Sequence, residues 1–270
     1  MSETWDRLQT TMRELGIEPK KSLGQNFLIS DAVINKIIQA AKETRPDFLL
    51  EIGPGPGALT FFLRNLSENF QLIELDRQFA QHWRDQNLKV IEADALQIDW
   101  QDFLSQTGVR SLVSNLPYQI SSSLVIDRCL DENPLDFMIL MFQKEVAQRI
   151  RARPQDELYG MLSVVAQTFW KMATVSDVGN RDFFPPPKIA SRVLSFEKKP
   201  SPVADRRAYF KFVKAAFAHP RKLMVSNLEE RQAITKARAI EIMLSFGLSE
   251  KTRAGQLTVQ QFVDFFHKLS

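Results

Sequence analysis

The stretch EIGPGPGALT, residues 51–60, decides the fold of this chain, and it follows directly on the apolar run 48–50. Its three glycines lie between an apolar strand and the start of a helical segment. Glycines at such a turn let the backbone approach a ligand closely. This arrangement is typical of the first strand–loop–helix unit of a Rossmann-like domain, in which a nucleotide-containing cofactor lies beside the loop.

The same alternation of apolar runs and helical segments continues on both sides of the glycine loop. Strands that are apolar on both faces and alternate with helices indicate a parallel sheet covered on both sides. Two later runs are separated by too few residues for a helical crossover, so they predict an antiparallel pair at the sheet edge. The predicted fold is an α/β, Rossmann-like sheet of seven strands at 48–52, 70–75, 88–93, 111–116, 137–142, 172–178 and 192–197.

The C-terminal region has a different pattern. After a linker at residues 198–202 (KKPSP), the sequence is helical to the end. We therefore predict an α/β domain over residues 1–199, with an N-terminal helical extension at 1–45, and a small all-α domain over 200–270. The predicted helices of this small domain are 209–217, 223–230, 237–244 and 259–269.

Charge separates the two regions. Residues 1–179 contain 18 Lys and Arg against 24 Asp and Glu, whereas residues 180–270 contain 17 against 8. A basic C-terminal region on an acidic body predicts a polyanionic partner, although solvated surface charge produces the same pattern.

Composition excludes several classes of protein. The sequence contains no run of about 18 apolar residues, so no membrane-spanning helix is predicted. The N-terminus lacks the apolar core of a signal peptide. The single cysteine, Cys129, excludes an internal disulfide and is typical of the reducing cytoplasm, where we expect the protein to act. The three histidines are far apart and have no cysteine partners, so no metal is expected.

Two classes of cofactor fit the glycine loop. The loop matches the dinucleotide pattern G-x-G-x-x-A, and Glu74 lies 21 residues beyond Gly53, near the usual spacing of a ribose-binding acid. A dinucleotide oxidoreductase is therefore one interpretation. Against it, Pro54 and Pro56 have no N–H to donate to a pyrophosphate.

S-adenosylmethionine makes different demands, because it carries ribose hydroxyls, an adenine amine and an amino-acid end but no phosphate. Glu74 at the end of the second strand can accept both ribose hydroxyls, and Asp94 at the end of the third can accept the adenine amine. Both acids belong at the carboxyl ends of parallel strands, where ligands bind in such sheets. Asp76 is better interpreted as a helix cap.

The sequence NLPY, residues 115–118, follows the fourth strand beside the same crevice. An exocyclic aromatic amine is a poor nucleophile, because its lone pair is delocalised, so methyl transfer to it depends on position and orientation. The Asn115 side-chain carbonyl and the Leu116 backbone carbonyl can accept its hydrogen bonds. Pro117 holds the backbone, and Tyr118 can stack on a base that has left its helix. A proline-terminated strand with a packed tyrosine fits the spacing alone equally well.

From about Lys20 to Leu269 the chain resembles the small-subunit rRNA adenine N6,N6-dimethyltransferases. The resemblance implies an S-adenosylmethionine-dependent methyltransferase sheet with a small helical domain. It further implies transfer of two methyl groups to each of two adjacent adenines in a hairpin near the 3′ end of small-subunit rRNA. The motifs that carry it are GQNFL (24–28), EIGPGPGALT (51–60), ELD (74–76), NLPY (115–118), QKEV (143–146) and FPPPK (184–188).

The resemblance also assigns residues to the cofactor and to the acceptor base. The acceptor motif is Asn115-Leu116-Pro117-Tyr118, and Phe184 is expected to sandwich the base opposite Tyr118. The implied cofactor contacts are Asn26, Leu28, Gly53, Glu74, Asp94 and Asn115.

The implied partner is the rRNA of an immature 30S subunit, with the protein acting as a monomer and without a membrane. Its phosphates give the basic C-terminal region a purpose. The candidate phosphate contacts are Lys188, Arg192, Arg206, Arg207, Arg221 and Lys222.

Two positions depart from the common pattern of these enzymes, and two alternatives stay open. Gln119 stands where Asn is usual, and Met161 stands where Arg is frequent. One alternative is a large-subunit rRNA adenine N6-methyltransferase of the antibiotic-resistance type, which shares the glycine loop and a similar Asn-x-Pro-Tyr/Phe motif. The other is a protein that mainly binds the assembling subunit. The FPPPK segment and the Arg221-Lys222 context favour the small-subunit enzyme.

Overall fold

The computed structural model describes residues 2–20, 23–231 and 233–269. It divides into two compact units: Met1–Leu124, Asn133–Ala147 and Met172–Lys198 form the first, and Val125–Glu132, Gln148–Lys171 and Lys199–Ser270 form the second. The predicted domain boundary at 199/200 lies one residue beyond the last segment of the first unit. Two shorter segments, 125–132 and 148–171, fall in the predicted α/β domain but group with the helical unit.

Among the described residues, seven strands form one sheet in the order β4-β3-β2-β5-β6-β9-β7, and β1 pairs with β8 alone. The strands are β1 (Phe27–Leu28), β2 (Phe48–Ile52), β3 (Asn69–Glu74), β4 (Lys89–Glu92), β5 (Arg110–Ser114), β6 (Phe137–Gln143), β7 (Trp170–Val178), β8 (Phe183–Phe184) and β9 (Ser191–Lys198).

The sheet confirms the predicted Rossmann-like architecture. Strands β2 to β6 are parallel to one another, and β9 pairs antiparallel with β6. Strand β7 lies next to β9 at the edge, where the sequence predicted the last pair of strands. Every residue of β2 and of β5 is buried, because helices cover both faces of the sheet centre.

Helices fill the connections and most of the second unit. The N-terminal helices are α1 (Glu3–Leu15) and α2 (Asp31–Glu43). The helices between strands are α3 (Thr60–Leu63), α4 (Arg77–Asp85), α5 (Gln101–Leu104), α6 (Tyr118–Leu130), α7 (Lys144–Arg151) and α8 (Met161–Phe169). The C-terminal helices are α9 (Arg206–Ala216), α10 (Met224–Glu230), α11 (Lys236–Ser245) and α12 (Val259–His267).

The second unit has a core of aromatic side chains. The Phe212 and Phe265 rings stack with their centroids 5.3 Å apart, and Phe217 stacks on Phe262 at 5.5 Å. Stacked and edge-on aromatic pairs stabilise a core beyond the area they bury. No helix among the described residues combines the length and the apolar character needed to cross a membrane.

Two local features of the fold matter for the site. Helix α6 begins at Tyr118, because Pro117 precedes the first turn, where a missing N–H costs nothing. The pairing of β1 with β8 places Phe27 opposite Phe184. A strand of two residues has no periodicity, so the sequence could not predict it.

Candidate cofactor and acceptor site

The glycine loop after β2 is held against α4. The Trp83 Nε1–H donates to the Gly55 carbonyl at 2.9 Å. Gly57 has a φ of 98°, and a Cβ there would lie 2.5 Å from the Trp83 ring. A side chain at this position would therefore both strain the backbone and clash with a buried ring. Gly53 and Gly55 line the cavity that opens at the carboxyl ends of the strands.

Glu74 ends β3 at the floor of this cavity and is 6% exposed. Its Oε2 accepts the Gly55 N–H at 3.0 Å, and its Oε1 accepts the Asp76 N–H at 2.8 Å. Burial raises the pKa of Glu74, and these backbone donors oppose the rise. Each oxygen keeps a second acceptor position, so the carboxylate can accept two further hydroxyl donors.

Asp94 lies at the other end of the same wall, after β4. Its Oδ1 accepts the Leu96 N–H at 2.9 Å, which fixes the carboxylate at the rim of the cavity. The apolar side chains of Ile73, Leu75 and Ala95 also line the cavity, and Leu75 is 55% exposed. Apolar walls with one or two acceptors at the rim are the usual setting for a flat heterocycle.

The segment that leads into β1 forms another part of the lining. Leu23 to Phe27 line the cavity, and the Asn26 carbonyl accepts the Asn115 Nδ2–H at 3.1 Å. The Gln119 Oε1 lies 3.1 Å from where a Cβ of Gly24 would be, so the unusual Gln119 packs against this segment. Leu28, a predicted cofactor contact, is fully buried in the core and does not line the cavity.

The four residues 115–118 all line the cavity beside the acids. Because the Asn115 Nδ2 donates to Asn26, its Oδ1 is the atom left to accept a hydrogen bond from a ligand. The Tyr118 hydroxyl is 2.7 Å from the Ser191 hydroxyl, at the start of β9. Burial raises the pKa of Tyr118, so the phenol stays neutral.

Phe184 is not among the residues that line the cavity. Its ring packs against Trp5 of α1, with centroids 4.7 Å apart, and the residue is 37% exposed. Its strand partner Phe27 does line the cavity, so Phe184 is one strand away from it. The structure thus places the predicted aromatic partner of Tyr118 beside, and not within, the cavity.

Some of the basic residues predicted to contact RNA are exposed, and the others are buried or ion-paired. Arg206 requires a correction: it is 8% exposed, lies over the Phe169 ring at 4.4 Å and donates to the Cys129 carbonyl at 3.0 Å. An arginine turned into the core in this way stabilises the second unit and has no free face for a phosphate. Lys188, Arg207 and Arg221 are exposed.

Two other predicted contacts are ion-paired. Arg192 donates to both carboxylate oxygens of Asp177, at 2.5 and 3.0 Å. Lys222 donates to Glu230 at 2.8 Å. Each would have to exchange its carboxylate for a phosphate on binding RNA.

Sequence reasoning missed several polar residues with specific contacts. Ser191 was given no role from the sequence, because its bond to Tyr118 joins positions 73 residues apart. Lys211 and Lys214 are exposed on the same face of α9 as Arg207, at the i, i+4, i+7 spacing of one helix stripe. That spacing is visible in the sequence and could have identified the stripe.

The fold and this site define a class of protein: the S-adenosylmethionine-dependent methyltransferases. The structure resembles that of a dimethyladenosine transferase from Plasmodium falciparum, with a TM-score of 0.76 and 24% identity over 90% of this chain and 98% of that one. It also resembles the 23S rRNA methyltransferase ErmE, with a TM-score of 0.66 and 24% identity over 90% and 99% of the two chains. At this identity the likeness concerns the fold.

Within that class, the chain belongs to the ribosomal RNA adenine dimethylase family, whose model matches residues 17–270. It is 52% identical over 270 residues to the ribosomal RNA small subunit methyltransferase A of Bdellovibrio bacteriovorus, covering 98% of each chain. It is 34% identical to the protein of the same name from Natranaerobius thermophilus, covering 94% of this chain and 93% of that one. The predicted family is confirmed, and the dinucleotide oxidoreductase interpretation is set aside.

Proposed function

We propose that this protein transfers methyl groups from S-adenosylmethionine to the N6 amines of two adjacent adenines in the 3′-terminal hairpin of small-subunit rRNA. It acts in the cytoplasm, as a monomer, on the immature 30S subunit. The observation that carries the proposal is the bond from Asn115 to the Asn26 carbonyl, because it joins the acceptor motif to the cofactor wall within one cavity.

The cofactor side of the cavity fits S-adenosylmethionine. The two acceptor positions left on Glu74 suit a ribose diol, and the Asp94 carboxylate at the rim suits the adenine amine. Asn26 and Gly53 line the same cavity as these acids and the acceptor motif. When bound, S-adenosylmethionine supplies a methyl group on a positively charged sulfur, which is electrophilic without further activation.

The acceptor side orients an adenine amine. The Asn115 Oδ1 and the Leu116 carbonyl accept its two N–H groups and draw its lone pair out of conjugation with the ring. Pro117 keeps this backbone rigid, and the Tyr118 ring, held by Ser191, stacks on the base. No strong general base is required, because the methylated amine is acidic enough to lose its proton to water. Phe184 covers the base from beside the cavity once RNA is bound.

The second unit, together with the basic residues near it in sequence, binds the RNA backbone. The exposed cations on α9 form one stripe, and the opposite face of that helix, with Tyr209 and Phe212, is buried. Such a stripe neutralises phosphates without reading sequence, as expected for a folded rRNA recognised by shape. The proposed phosphate contacts are Lys188, Arg207, Lys211, Lys214 and Arg221, with the ion-paired Arg192 and Lys222 exchanging partners.

The relatives' names favour the small ribosomal subunit as substrate over the large one. The test is to incubate the enzyme and radiolabelled S-adenosylmethionine with immature 30S particles and with 50S precursors in parallel. We expect label in the small-subunit RNA alone. Label confined to large-subunit RNA would support an enzyme of the antibiotic-resistance type, and normal subunit maturation with a Glu74→Ala variant would support a mainly binding role.

A further inference from the structure

Asp76 is a buried acid next to the cofactor wall that the proposed chemistry does not use. It is the N-cap of α4, and its Oδ1 accepts the Gln78 N–H at 3.1 Å. Its side chain is 1% exposed, and the residue does not line the cavity. Capping alone engages one carboxylate oxygen, so the other is free for a second task.

The second oxygen, Oδ2, is bonded to the segment that leads into β1, which lines part of the cavity. Asp76 Oδ2 accepts the Lys20 ammonium at 2.8 Å and the Gln25 Nε2–H at 3.2 Å. The Gln25 Oε1 accepts the Lys20 backbone N–H at 2.7 Å, which closes the network. Burial would raise the pKa of Asp76, but hydrogen bonds from Lys20, Gln78 and Gln25 outweigh it and hold this pKa below its ordinary value.

The backbone of Asp76 supports Glu74, on another part of the cavity lining. Its N–H donates to Glu74 Oε1 at 2.8 Å and so orients the buried carboxylate that faces the cavity. Gln25, which the side chain of Asp76 holds, lines the cavity directly. One residue therefore connects two walls that come from positions about fifty residues apart in the chain.

We propose that Asp76 is a positioning residue of the cofactor site: its carboxylate latches residues 24–26 of the cavity lining to the segment that carries Glu74, through Gln25 and Lys20, and so determines how tightly and how long the cofactor is held. The identity of the ligand, S-adenosylmethionine, rests on the proposed function; the latch itself does not. Gln25 is the partner that also lines the cavity, whereas Lys20 is 42% exposed and its ion pair is screened by solvent. The Gln25 bond to a buried carboxylate is charge-assisted.

The test variant is Asp76→Asn, which keeps an oxygen for the Gln78 cap and replaces the oxygen that accepts from Lys20 and Gln25 with an NH2 donor. The matched control is Asp205→Asn, since Asp205 caps α9 in the same way by accepting the Ala208 N–H. Gln25→Leu removes the partner that lines the cavity and leaves the cap untouched. Each variant is measured for thermal unfolding, for S-adenosylmethionine binding by calorimetry, and for hydrogen exchange of the amides of residues 23–28 without ligand.

We expect Asp76→Asn and Gln25→Leu each to weaken cofactor binding about tenfold, and the double variant to be no weaker than the worse single one. Both should speed exchange at residues 23–28 without ligand, whereas Asp205→Asn should change neither quantity. Unchanged exchange and affinity in both test variants, or an equal effect in the control, would overturn the latch. If the unaltered protein fails to bind S-adenosylmethionine, the proposed function fails, and the exchange measurement still decides the latch.

Discussion

Asn115 and Asn26 are joined by a hydrogen bond of 3.1 Å from a side-chain amide to a backbone carbonyl, across 89 positions of the chain. The bond orients the Asn115 amide, because a flip of the amide would break it. It also ties the acceptor motif to the segment that walls the cofactor cavity. The cofactor and acceptor halves of the proposed site are thereby held in one geometry before any ligand arrives, which is the condition for catalysis by positioning.

Replacing Asn115 should reduce turnover more than cofactor affinity. We expect Asn115→Ala to lower the rate of methyl transfer by about 100-fold, because the acceptor amine loses a partner that orients its lone pair. The affinity for S-adenosylmethionine should fall by less than about tenfold, since Glu74 and Asp94 remain. Single-turnover kinetics and calorimetry measure the two effects. Asn35→Ala, on the exposed face of α2, is the control, and wild-type turnover in Asn115→Ala would refute the assignment.

The bond between Tyr118 and Ser191 should act on the placement of the base. We expect Tyr118→Phe and Ser191→Ala each to raise KM for the RNA by about fivefold, because either change frees the ring. The double variant should be no worse than either single one, since both remove the same bond. Ser195→Ala on the same strand serves as the control. Fully additive effects of the two changes would show that the bond is not the cause.

The exposed stripe on α9 should determine part of the salt dependence of RNA binding. Changing Arg207, Lys211 and Lys214 together to Gln should reduce the slope of log affinity against log salt by about three, one for each phosphate that the variant no longer neutralises. Filter binding or fluorescence titration across salt concentrations measures the slope. A triple change of Lys42, Arg84 and Lys89 to Gln, in the first unit, alters net charge equally. Equal slopes in both triple variants would mean that the stripe makes no specific contacts.

Glu51 should make stability depend on pH. Burial, with a smaller contribution from the Glu74 carboxylate, raises the pKa of Glu51 from 4.5 to about 8, so the folded protein keeps it protonated in this range. The unfolded chain releases that proton near pH 4.5, so the folded state binds more protons between these values. The free energy of unfolding therefore falls as pH rises from about 5 to 8 and then levels off.

The variant Glu51→Gln is neutral in both states and should remove this slope. Relative to the unaltered protein it should gain stability on going from pH 5 to pH 8, by on the order of 4 kcal/mol. Urea unfolding at pH 5, 6.5 and 8 measures the difference. Glu68→Gln, at an exposed position, is the control. A slope as steep in Glu51→Gln as in the unaltered protein would assign the pH dependence to another group.

The features that the sequence predicted well are those with a regular pattern. The parallel strands follow from continuous apolar runs, and the position of Glu74 and Asp94 on one cavity follows from the common edge at which parallel strands end. Asp76 was expected to be a helix cap, and it is one. Arg206 was misjudged because charge is visible in a sequence whereas burial under an aromatic ring is not.

The remaining features depend on contacts between distant segments. The latch from Asp76 to Lys20 and Gln25 spans more than fifty positions, and no local periodicity signals it. Phe184 was placed by resemblance opposite Tyr118, but its packing on Trp5 depends on how α1 lies against β8. Gln119 had no explanation from the sequence, and the structure places its amide beside Gly24, where an added Cβ would lie 3.1 Å from its Oε1.

The central claim is best tested by mass spectrometry of rRNA from immature small subunits after treatment with the enzyme and S-adenosylmethionine. Position and number of the methyl groups are read together from nuclease fragments. The account predicts two methyl groups on each of two adjacent adenines in the 3′-terminal hairpin, and none when Asn115→Ala is used for the same short time. Methyl groups elsewhere, on large-subunit RNA, or in equal amount with Asn115→Ala would contradict it.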